Sequence, residues 1–175
     1  FITMYMCRET IRRAVIQKFN EAVSPAGGGA AGGGGNKYNS IDDIHDAINR
    51  DFTKEEANRL INSLKICDPA VGSGHFLVSA LNEIIALKSE LRILQDKNGK
   101  TLRDYDISIE NDELIITNDD GEFFEYHPNS KESQRVQETL FHEKQTIIEN
   151  CLFGVDINPN SVKICRLRLW IELLK

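Results

Sequence analysis

Residues 68–77 combine residue types that suit the binding of a small charged ligand. They spell Asp-Pro-Ala-Val-Gly-Ser-Gly-His-Phe-Leu and stand between a short apolar run, residues 64–67, and an amphipathic stretch. Glycines let a backbone approach a ligand closely, and the first turn of a helix offers unpaired N–H groups at the positive end of its dipole. The segment therefore predicts a ligand site where a strand turns into a helix.

A second acid follows another apolar run. Asp156 ends the sequence CLFGVD, residues 151–156, which predicts a second buried strand. In open α/β sheets, ligands bind at the carboxyl ends of neighbouring parallel strands. A carboxylate at such a strand end is suited to accept two hydrogen bonds from the hydroxyl groups of a ribose, and we expect Asp156 to do so.

Three nucleotide-type ligands compete for this turn. ATP in a P-loop requires a lysine after the glycines, and none is present. A dinucleotide site requires a third glycine, but Leu77 stands there, and the acid lies far beyond the usual distance of about 20 residues. S-adenosylmethionine fits better, because its carboxylate, its positive charge and its ribose each find a complementary group in these two segments. Backbone N–H groups from Gly72 to His75 would bind its carboxylate, Asp68 would offset its positive charge, and Asp156 would hold its ribose.

The elements before this turn are predicted to be helical. Residues 4–22 carry an apolar stripe at helical spacing, formed by Ile11, Val15, Phe19 and Ala22. The basic residues of this helix are expected to form a solvated face, with a weak phosphate contact as the alternative; they are Arg8, Arg12, Arg13 and Lys18. Residues 26–35 hold seven glycines and predict a flexible linker.

Two short helices are predicted after the linker, and each begins with an N-terminal capping pattern. Ser40 stands three residues before Asp43, and Thr53 stands three residues before Glu56. In the second helix the apolar positions fall at helical spacing; they are Ala57, Leu60, Ile61 and Leu64.

From residue 64 onward the pattern predicts an α/β fold. A buried strand at residues 64–67 leads into a helix over about 74–94. An alternating run with a turn signal at residues 118–121 predicts a β-hairpin or a small meander. A helix over about 131–150 follows, with Val136, Leu140 and Ile147 inward. After the second strand, Asn158 is expected to cap a final helix whose broad apolar face packs against a sheet.

Composition excludes several functional classes. The net charge is −6, and residues 96–143 alone carry 13 acidic and 5 basic side chains, so the chain as a whole is not a basic nucleic-acid binder. No apolar run approaches the roughly 18 residues of a membrane span, and no signal peptide is apparent, so we expect a cytoplasmic protein without membrane contact. The cysteines are expected to be buried free thiols and not metal ligands, because they form no C-x-x-C pair; they are Cys7, Cys67, Cys151 and Cys165.

These residues carry a family resemblance. DPAVGSGHFL resembles motif I of the DNA adenine-N6 methyltransferases, FGVDINPNSVKICRLRLWIELL resembles motif II with its following helix, and MYMCRETIRRAVIQKF resembles the helix after motif X. The chain is most similar to the methylase region of Type IIG restriction–modification enzymes and their relatives in phage defence. The resemblance covers residues 4–22, 65–95 and 150–175.

The resemblance implies part of a Rossmann-like fold that binds S-adenosyl-L-methionine. It divides the chain into an N-terminal helical segment, residues 1–64, and the first part of a methyltransferase domain, residues 65–175, with an insertion at about 96–143 that holds the hairpin. The implied substrate of the parent enzyme is double-stranded DNA. The residues implied to bind the cofactor are Asp68, Pro69, Ala70, Gly72, Gly74, His75, Phe76, Asp156 for the ribose and Ile157 for the adenine ring.

The catalytic signature of that family is missing. It consists of Asn, Asp or Ser followed by Pro-Pro and an aromatic residue, whereas no two prolines of this chain are adjacent. We therefore expect no catalytic residue here and no activity of this chain alone. A methyltransferase for RNA or protein and a non-catalytic DNA-binding or specificity scaffold remain as alternatives.

Overall fold

A computed structural model describes residues 2–24 and 36–175. Within these residues the chain forms helices and strands in a mixed order. The helices are α1 (Ile2–Val23), α2 (Ile41–Ala47), α3 (Lys54–Asn62), α4 (His75–Glu90), α5 (Lys131–Cys151) and α6 (Pro159–Leu174). The strands are β1 (Ile66–Asp68), β2 (Tyr105–Glu110), β3 (Glu113–Asn118) and β4 (Leu152–Gly154). The predicted glycine-rich linker, residues 26–35, lies outside the described residues.

Two small sheets are present, as an α/β chain with an inserted hairpin requires. Strands β1 and β4 pair in parallel, with Asp68 opposite Gly154. Strands β2 and β3 pair antiparallel. The predicted N-terminal helices and the hairpin are therefore present, and the mixed α/β class is confirmed.

Helix α4 is the centre of the fold, and α1, β2, α5 and α6 all pack against it. Twelve of its sixteen residues are buried, so it is covered on nearly all sides. Its buried charges have partners: the Glu83 carboxylate accepts from the Arg12 guanidinium at 3.0 Å, and the Lys88 ammonium donates to Glu143 at 2.6 Å. This helix follows the predicted ligand turn directly, so the best-packed element of the chain supports that turn.

Most of the apolar stripe predicted for helix α1 is buried. Ile11, Val15 and Phe19 are buried, but Ala22 is exposed and Cys7 is buried in its place. Arg12 was expected on a solvated or phosphate-binding face. It instead pairs with Glu83 and Glu90 of α4, because two carboxylates of that helix lie within reach of its guanidinium.

Both short helices begin as their sequences predict. Ser40 and Thr53 cap α2 and α3, and each forms the full reciprocal capping box with the acid three residues later. Of the predicted apolar positions, Ala57, Ile61 and Leu64 are buried, and Leu60 is partly buried against the core.

The hairpin turns earlier than its sequence suggests. Its two-residue turn is Asn111-Asp112, and both residues have positive φ. The predicted turn signal at residues 118–121 forms a second turn, which brings Phe123 back beside Thr117 as an isolated bridge. Asn and Asp are the residues other than glycine that adopt the left-handed conformation most readily, which lets this pair form a tight hairpin turn.

The parallel sheet and α6 are much less buried than predicted. Cys67, Phe153 and Gly154 are exposed, which corrects both the buried strands and the buried Cys67 thiol. Parallel sheets are normally covered on both faces, whereas here the helices cover one face of two short strands. On α6 the expected apolar face is largely open to solvent; its exposed members are Ile164, Leu167, Ile171 and Leu174, and Trp170 is exposed on the same helix.

Candidate functional site

The chain segments that follow β1 and β4 stay hydrogen-bonded beyond the strands. The N–H of Val155 donates to the Asp68 carbonyl, and the N–H of Val71 donates to the Val155 carbonyl, both at 2.9 Å. The side chain of Val71 is buried and packs over Gly154, where a Cβ atom would lie 2.6 Å from Val71 Cγ2. Residues 68–74, hereafter the glycine turn, are therefore fixed against the loop after β4.

Asp156 makes the most direct link between the two strand ends. Its Oδ2 accepts from the Gly72 N–H at 2.9 Å, and its Oδ1 accepts from the Asn158 N–H at 2.8 Å. An ionised carboxylate has about four lone-pair positions, so two remain for further donors. The side chain is partly exposed and offers those positions at the predicted place.

Asp68 shapes the start of the glycine turn. Its Oδ1 accepts from the Ala70 N–H at 3.0 Å, which is the local bond of an Asx turn. The side chain is partly exposed, and its second oxygen has no hydrogen bond among the described residues. Asp68 thus has a structural role in the turn, and its second oxygen is left for other donors.

The two glycines of the turn are required by its backbone. Gly72 has φ +51° and Gly74 has φ +81°, both in the left-handed region that side chains disfavour. Gly74 is also buried against α6, and a Cβ atom there would lie 2.6 Å from Cys165 Sγ and 3.2 Å from Cys165 Cα. The close approach that Gly74 allows here is to helix α6, and the predicted approach to a ligand stays a prediction.

Only part of the predicted set of N–H groups, Gly72 to His75, is without a hydrogen-bond acceptor among the described residues. The N–H of Gly72 is bonded to Asp156, and the N–H of Gly74 donates to the Val71 carbonyl at 2.8 Å. Gly74 caps α4 without a side-chain bond, and the N–H groups of its first three residues, His75 to Leu77, meet no acceptor among the described residues. Unpaired N–H groups thus lie at the start of α4, at the positive end of its dipole.

The other predicted residues lie around the turn to different degrees. Pro69, Ala70 and His75 are exposed beside it. Phe76 is partly buried and packs against the core, so its side chain supports the helix start. The side chain of Ile157 is fully exposed at 102%, and the described structure provides no opposing wall for it. The structure thus brings together Asp68, Gly72, Gly74 and Asp156 and leaves Ile157 open.

Two residues that neighbour the glycine turn were not among the predicted site residues. Cys165 of α6 contacts Gly74, and the Arg168 guanidinium lies 3.5 Å from the Ser73 hydroxyl. Burial raises the pKa of the Cys165 thiol, the nearby Asp68 carboxylate raises it further, and Arg166 and Arg168 oppose this. The available signal for Cys165 was its size. Four apolar residues of α6 follow one another at helical spacing, and Cys165 is the smallest of them; they are Val162, Cys165, Leu169 and Leu173.

The site is an open surface and not an enclosed cavity. A cavity of about 580 Å³ lies elsewhere, between α1, α4 and the hairpin, and its lining includes Met4, Asn82 and Ile107. Within residues 2–24 and 36–175, no group of three or more His, Cys, Asp or Glu side chains is placed to hold a metal ion. In the same part of the chain, no helix has the length and apolar character needed to cross a membrane.

Comparison with known proteins gives two matches. The family model described as the MmeI DNA-methyltransferase domain matches residues 44–174. A protein of Methanocaldococcus jannaschii, described as a type II restriction enzyme and methyltransferase, is 27% identical over 181 residues. That alignment covers 99% of this chain but only 11% of the relative's length. No solved structure matches the chain.

Proposed function

The chain belongs to the family of the MmeI DNA-methyltransferase domain, and from that premise we propose that the glycine turn, the start of α4 and Asp156 bind S-adenosyl-L-methionine. The predicted likeness to the methylase region of Type IIG restriction–modification enzymes is confirmed by both comparisons. Methyltransferases of this kind use that cofactor, and bound here it would supply an electrophilic methyl group.

The bond between Asp156 and Gly72 is the observation that carries this proposal. It holds the Asp156 carboxylate, the proposed hydrogen-bond acceptor for the ribose, beside the glycine turn. Helix α4, which follows that turn, begins with unpaired N–H groups. S-adenosylmethionine needs both features at once, because its carboxylate and its ribose lie at opposite ends of the methionine–sulfur linkage. A pyrophosphate ligand would need a third glycine or a lysine, and neither is present.

Each residue of the site then has a defined task. The N–H groups at the start of α4 receive the cofactor carboxylate, aided by the helix dipole. The free oxygen of Asp68 faces the ammonium and sulfonium charges, directly or through water. The remaining lone pairs of Asp156 accept from the ribose hydroxyl groups, while Gly72 and Asn158 hold its carboxylate in place.

Ile157 supplies apolar surface for the adenine ring in this proposal. Because Ile157 is fully exposed, the adenine ring would pack one of its faces on this side chain. The other face of the ring would be free to contact other parts of the protein. Burying a large apolar side chain under a planar ring stabilises the complex by about 1 kcal/mol or more. The adenine end is thus the least complete part of the site within this chain.

The methyl acceptor proposed for the parent protein is the N6 atom of adenine in double-stranded DNA. Support comes from the adenine-type sequence DPAVGSGHFL and from the DNA-methyltransferase family of the chain. The adjacent prolines of the catalytic signature are absent from this sequence, so we propose that the chain binds the methyl donor and does not transfer the methyl group by itself.

We also propose that the parallel sheet belongs to a larger Rossmann-like sheet. Two parallel strands do not form a stable sheet alone, and both strands have exposed residues on one face. The open apolar side of α6 offers a second surface that further strands would cover. Since the relative is far longer than this chain, such strands would come from the rest of the parent protein.

A ligand titration tests the proposal. The chain is titrated in a calorimeter with S-adenosylmethionine, S-adenosylhomocysteine, ATP and NAD. We expect the first two to bind with a Kd in the micromolar range, corresponding to about −8 kcal/mol, and the last two to give no saturable heat. Binding of ATP or NAD without binding of the sulfur compounds would contradict the proposal.

The acceptor is tested separately in the parent protein. DNA methylated by it is digested to nucleosides, which are separated by chromatography. We expect N6-methyl-2′-deoxyadenosine and no methylated 2′-deoxycytidine. Methylcytosine as the product would overturn the adenine assignment and leave the cofactor assignment intact.

A further inference from the structure

We propose that Cys165 is a positioning residue for the methyl-donor site. It acts through Gly74, because its contact with that glycine determines where the first turn of α4 stands. The inference rests on the proposed function for the identity of the ligand, and it adds a residue that the sequence did not single out.

The contact between α6 and the glycine turn is as close as it can be. A Cβ atom on Gly74 would lie 2.6 Å from Cys165 Sγ and 3.2 Å from both Cys165 Cα and Cβ. The last two distances involve backbone and the base of the side chain, which no rotamer change can move. Cys165 is also the one residue of α6, Pro159–Leu174, that is buried.

The glycine turn has little freedom to move away from α6. The Gly72 N–H is bonded to Asp156, and the Val71 N–H is bonded to the Val155 carbonyl. The Val71 side chain rests against Gly154, with no room for an added Cβ atom. A larger side chain at position 165 therefore displaces Gly74 and the start of α4, or it moves α6 outward.

Helix α6 is itself held at both ends. At its start the Asn158 N–H donates to Asp156 Oδ1 at 2.8 Å, and the same carboxylate is bonded to the Gly72 N–H. Near its last turn the Glu172 carbonyl accepts from the buried Lys144 ammonium at 2.9 Å. Because these attachments oppose an outward shift, we expect the strain of a larger side chain to fall on Gly74.

The size of the Cys165 side chain is what matters here, and its thiol chemistry is not used. Burial raises the pKa of this thiol, which keeps it protonated and unreactive at neutral pH. A small side chain such as alanine should therefore substitute for it. A branched or longer apolar side chain should not.

The consequence is specific to one end of the cofactor. The N–H groups that move with Gly74 are those of His75 to Leu77, which would bind the methionine carboxylate. Asp156, which would bind the ribose, is held by Gly72 and Asn158 and lies on the other side of the turn. A larger side chain at position 165 should therefore weaken binding of the methionine part of the cofactor and leave binding of the nucleoside part unchanged.

The test compares S-adenosylmethionine with 5′-methylthioadenosine, which has the ribose and adenine but lacks the carboxylate and ammonium. Both are titrated into the wild-type chain and into Cys165→Ala, Cys165→Val and Cys165→Leu. Leu167→Phe is the matched control, an enlargement at an exposed position of the same helix. Circular dichroism establishes that each variant is folded.

We expect Cys165→Leu to weaken S-adenosylmethionine binding roughly ten-fold or more, since a side chain too large for a closely packed contact shifts the backbone beside it. Methylthioadenosine binding should change by less than about two-fold. Cys165→Ala and Leu167→Phe should resemble the wild type for both ligands. Cys165→Val gives the same comparison, with a smaller effect, if the leucine variant does not fold.

Two outcomes would overturn the inference. Equal weakening of both ligands would mean that position 165 acts on the whole structure, and unchanged binding of both would mean that it does not position the turn. Failure of the wild-type chain to bind either ligand is a different result, because it refutes the proposed function and removes the basis of the inference with it.

Discussion

The Asp156 carboxylate accepts a hydrogen bond from the Gly72 N–H at 2.9 Å, although 84 positions separate the two residues in the chain. This bond joins the turn after β1 to the loop after β4 across the end of the parallel sheet. One carboxylate thus shapes the glycine turn and presents oxygens beside it. The predicted cofactor site is therefore a single unit built from two distant segments.

Replacing Asp156 by alanine should weaken S-adenosylmethionine binding by about 10- to 100-fold, because hydrogen bonds to a charged group contribute about 1.5–3 kcal/mol. The loss has two sources, the missing ribose contacts and the released Gly72 N–H. Isothermal titration measures the change, with Asp104→Ala as the control at an exposed acid outside the site. An unchanged Kd for Asp156→Ala would remove this residue from the site.

Gly74→Ala should destabilise the fold more than Gly99→Ala does. The two glycines have nearly the same φ, +81° and +78°, but an added Cβ atom at Gly99 meets nothing within 4 Å. Gly99→Ala therefore isolates the backbone strain, about 1–2 kcal/mol, while Gly74→Ala adds the clash with Cys165. Urea denaturation measures both free energies of unfolding. Equal losses would show that the contact between Gly74 and α6 is not tight.

Lys144 and Lys88 should respond in opposite ways to replacement by methionine. Both are buried, but Lys88 pairs with Glu143, whereas the ammonium of Lys144 has one hydrogen bond, to a backbone carbonyl. Burial lowers the pKa of Lys144, partly offset by the charge of Glu172. We expect Lys144→Met to leave the protein as stable or more stable, and Lys88→Met to cost about 3 kcal/mol by leaving Glu143 unpaired.

Thermal and urea unfolding at neutral pH compare these two variants. A destabilisation by Lys144→Met as large as that of Lys88→Met would mean that the buried Lys144 charge is well compensated. The informative quantity is the sign of the difference between the two free energies of unfolding, because both substitutions replace a buried lysine by methionine.

Asp96 should make the fold sensitive to acid. Burial raises the pKa of its carboxyl, but the Lys100 N–H, the Arg135 guanidinium and the Asn98 N–H together outweigh burial and hold this pKa below its usual value. A lowered pKa means that the stabilisation is present above the unfolded pKa, about 3.9, and is lost as pH falls through the folded value.

Denaturation of wild type and Asp96→Asn between pH 7 and pH 3 measures this effect. The variant should be less stable at neutral pH and should lose less stability below about pH 4. Parallel pH curves for the two proteins would show that Asp96 does not contribute to the acid sensitivity.

The helix starts and the strand-end position of Asp156 were accessible from the sequence, because they depend on local rules. Capping boxes identified the starts of α2 and α3, and Asn158 identified the start of α6. The strand-end position of Asp156 followed from a short apolar run and the general behaviour of parallel sheets. Each of these inferences needs only neighbouring residues.

Features that depend on packing between distant segments were not accessible. Apolar runs do not reveal how much of a strand is covered, so Cys67 and Phe153 were expected inside and are exposed. The contact between Cys165 and Gly74 arises from the crossing of two helices separated by the whole insertion. For the same reason the sequence did not indicate that Gly72 and Gly74 use their own N–H groups within the fold.

The most direct test of the cofactor site is an amide-resolved NMR titration of the ¹⁵N-labelled chain with S-adenosylmethionine. We predict saturable shifts of the amides at Gly72 and at His75 to Leu77, together with Asn158, whose N–H is bonded to Asp156. Amides of the hairpin, such as Ile107 and Ile116, should not shift. Saturable shifts confined to the hairpin or the cavity beside α1, with none at the glycine turn, would contradict the assignment of the site.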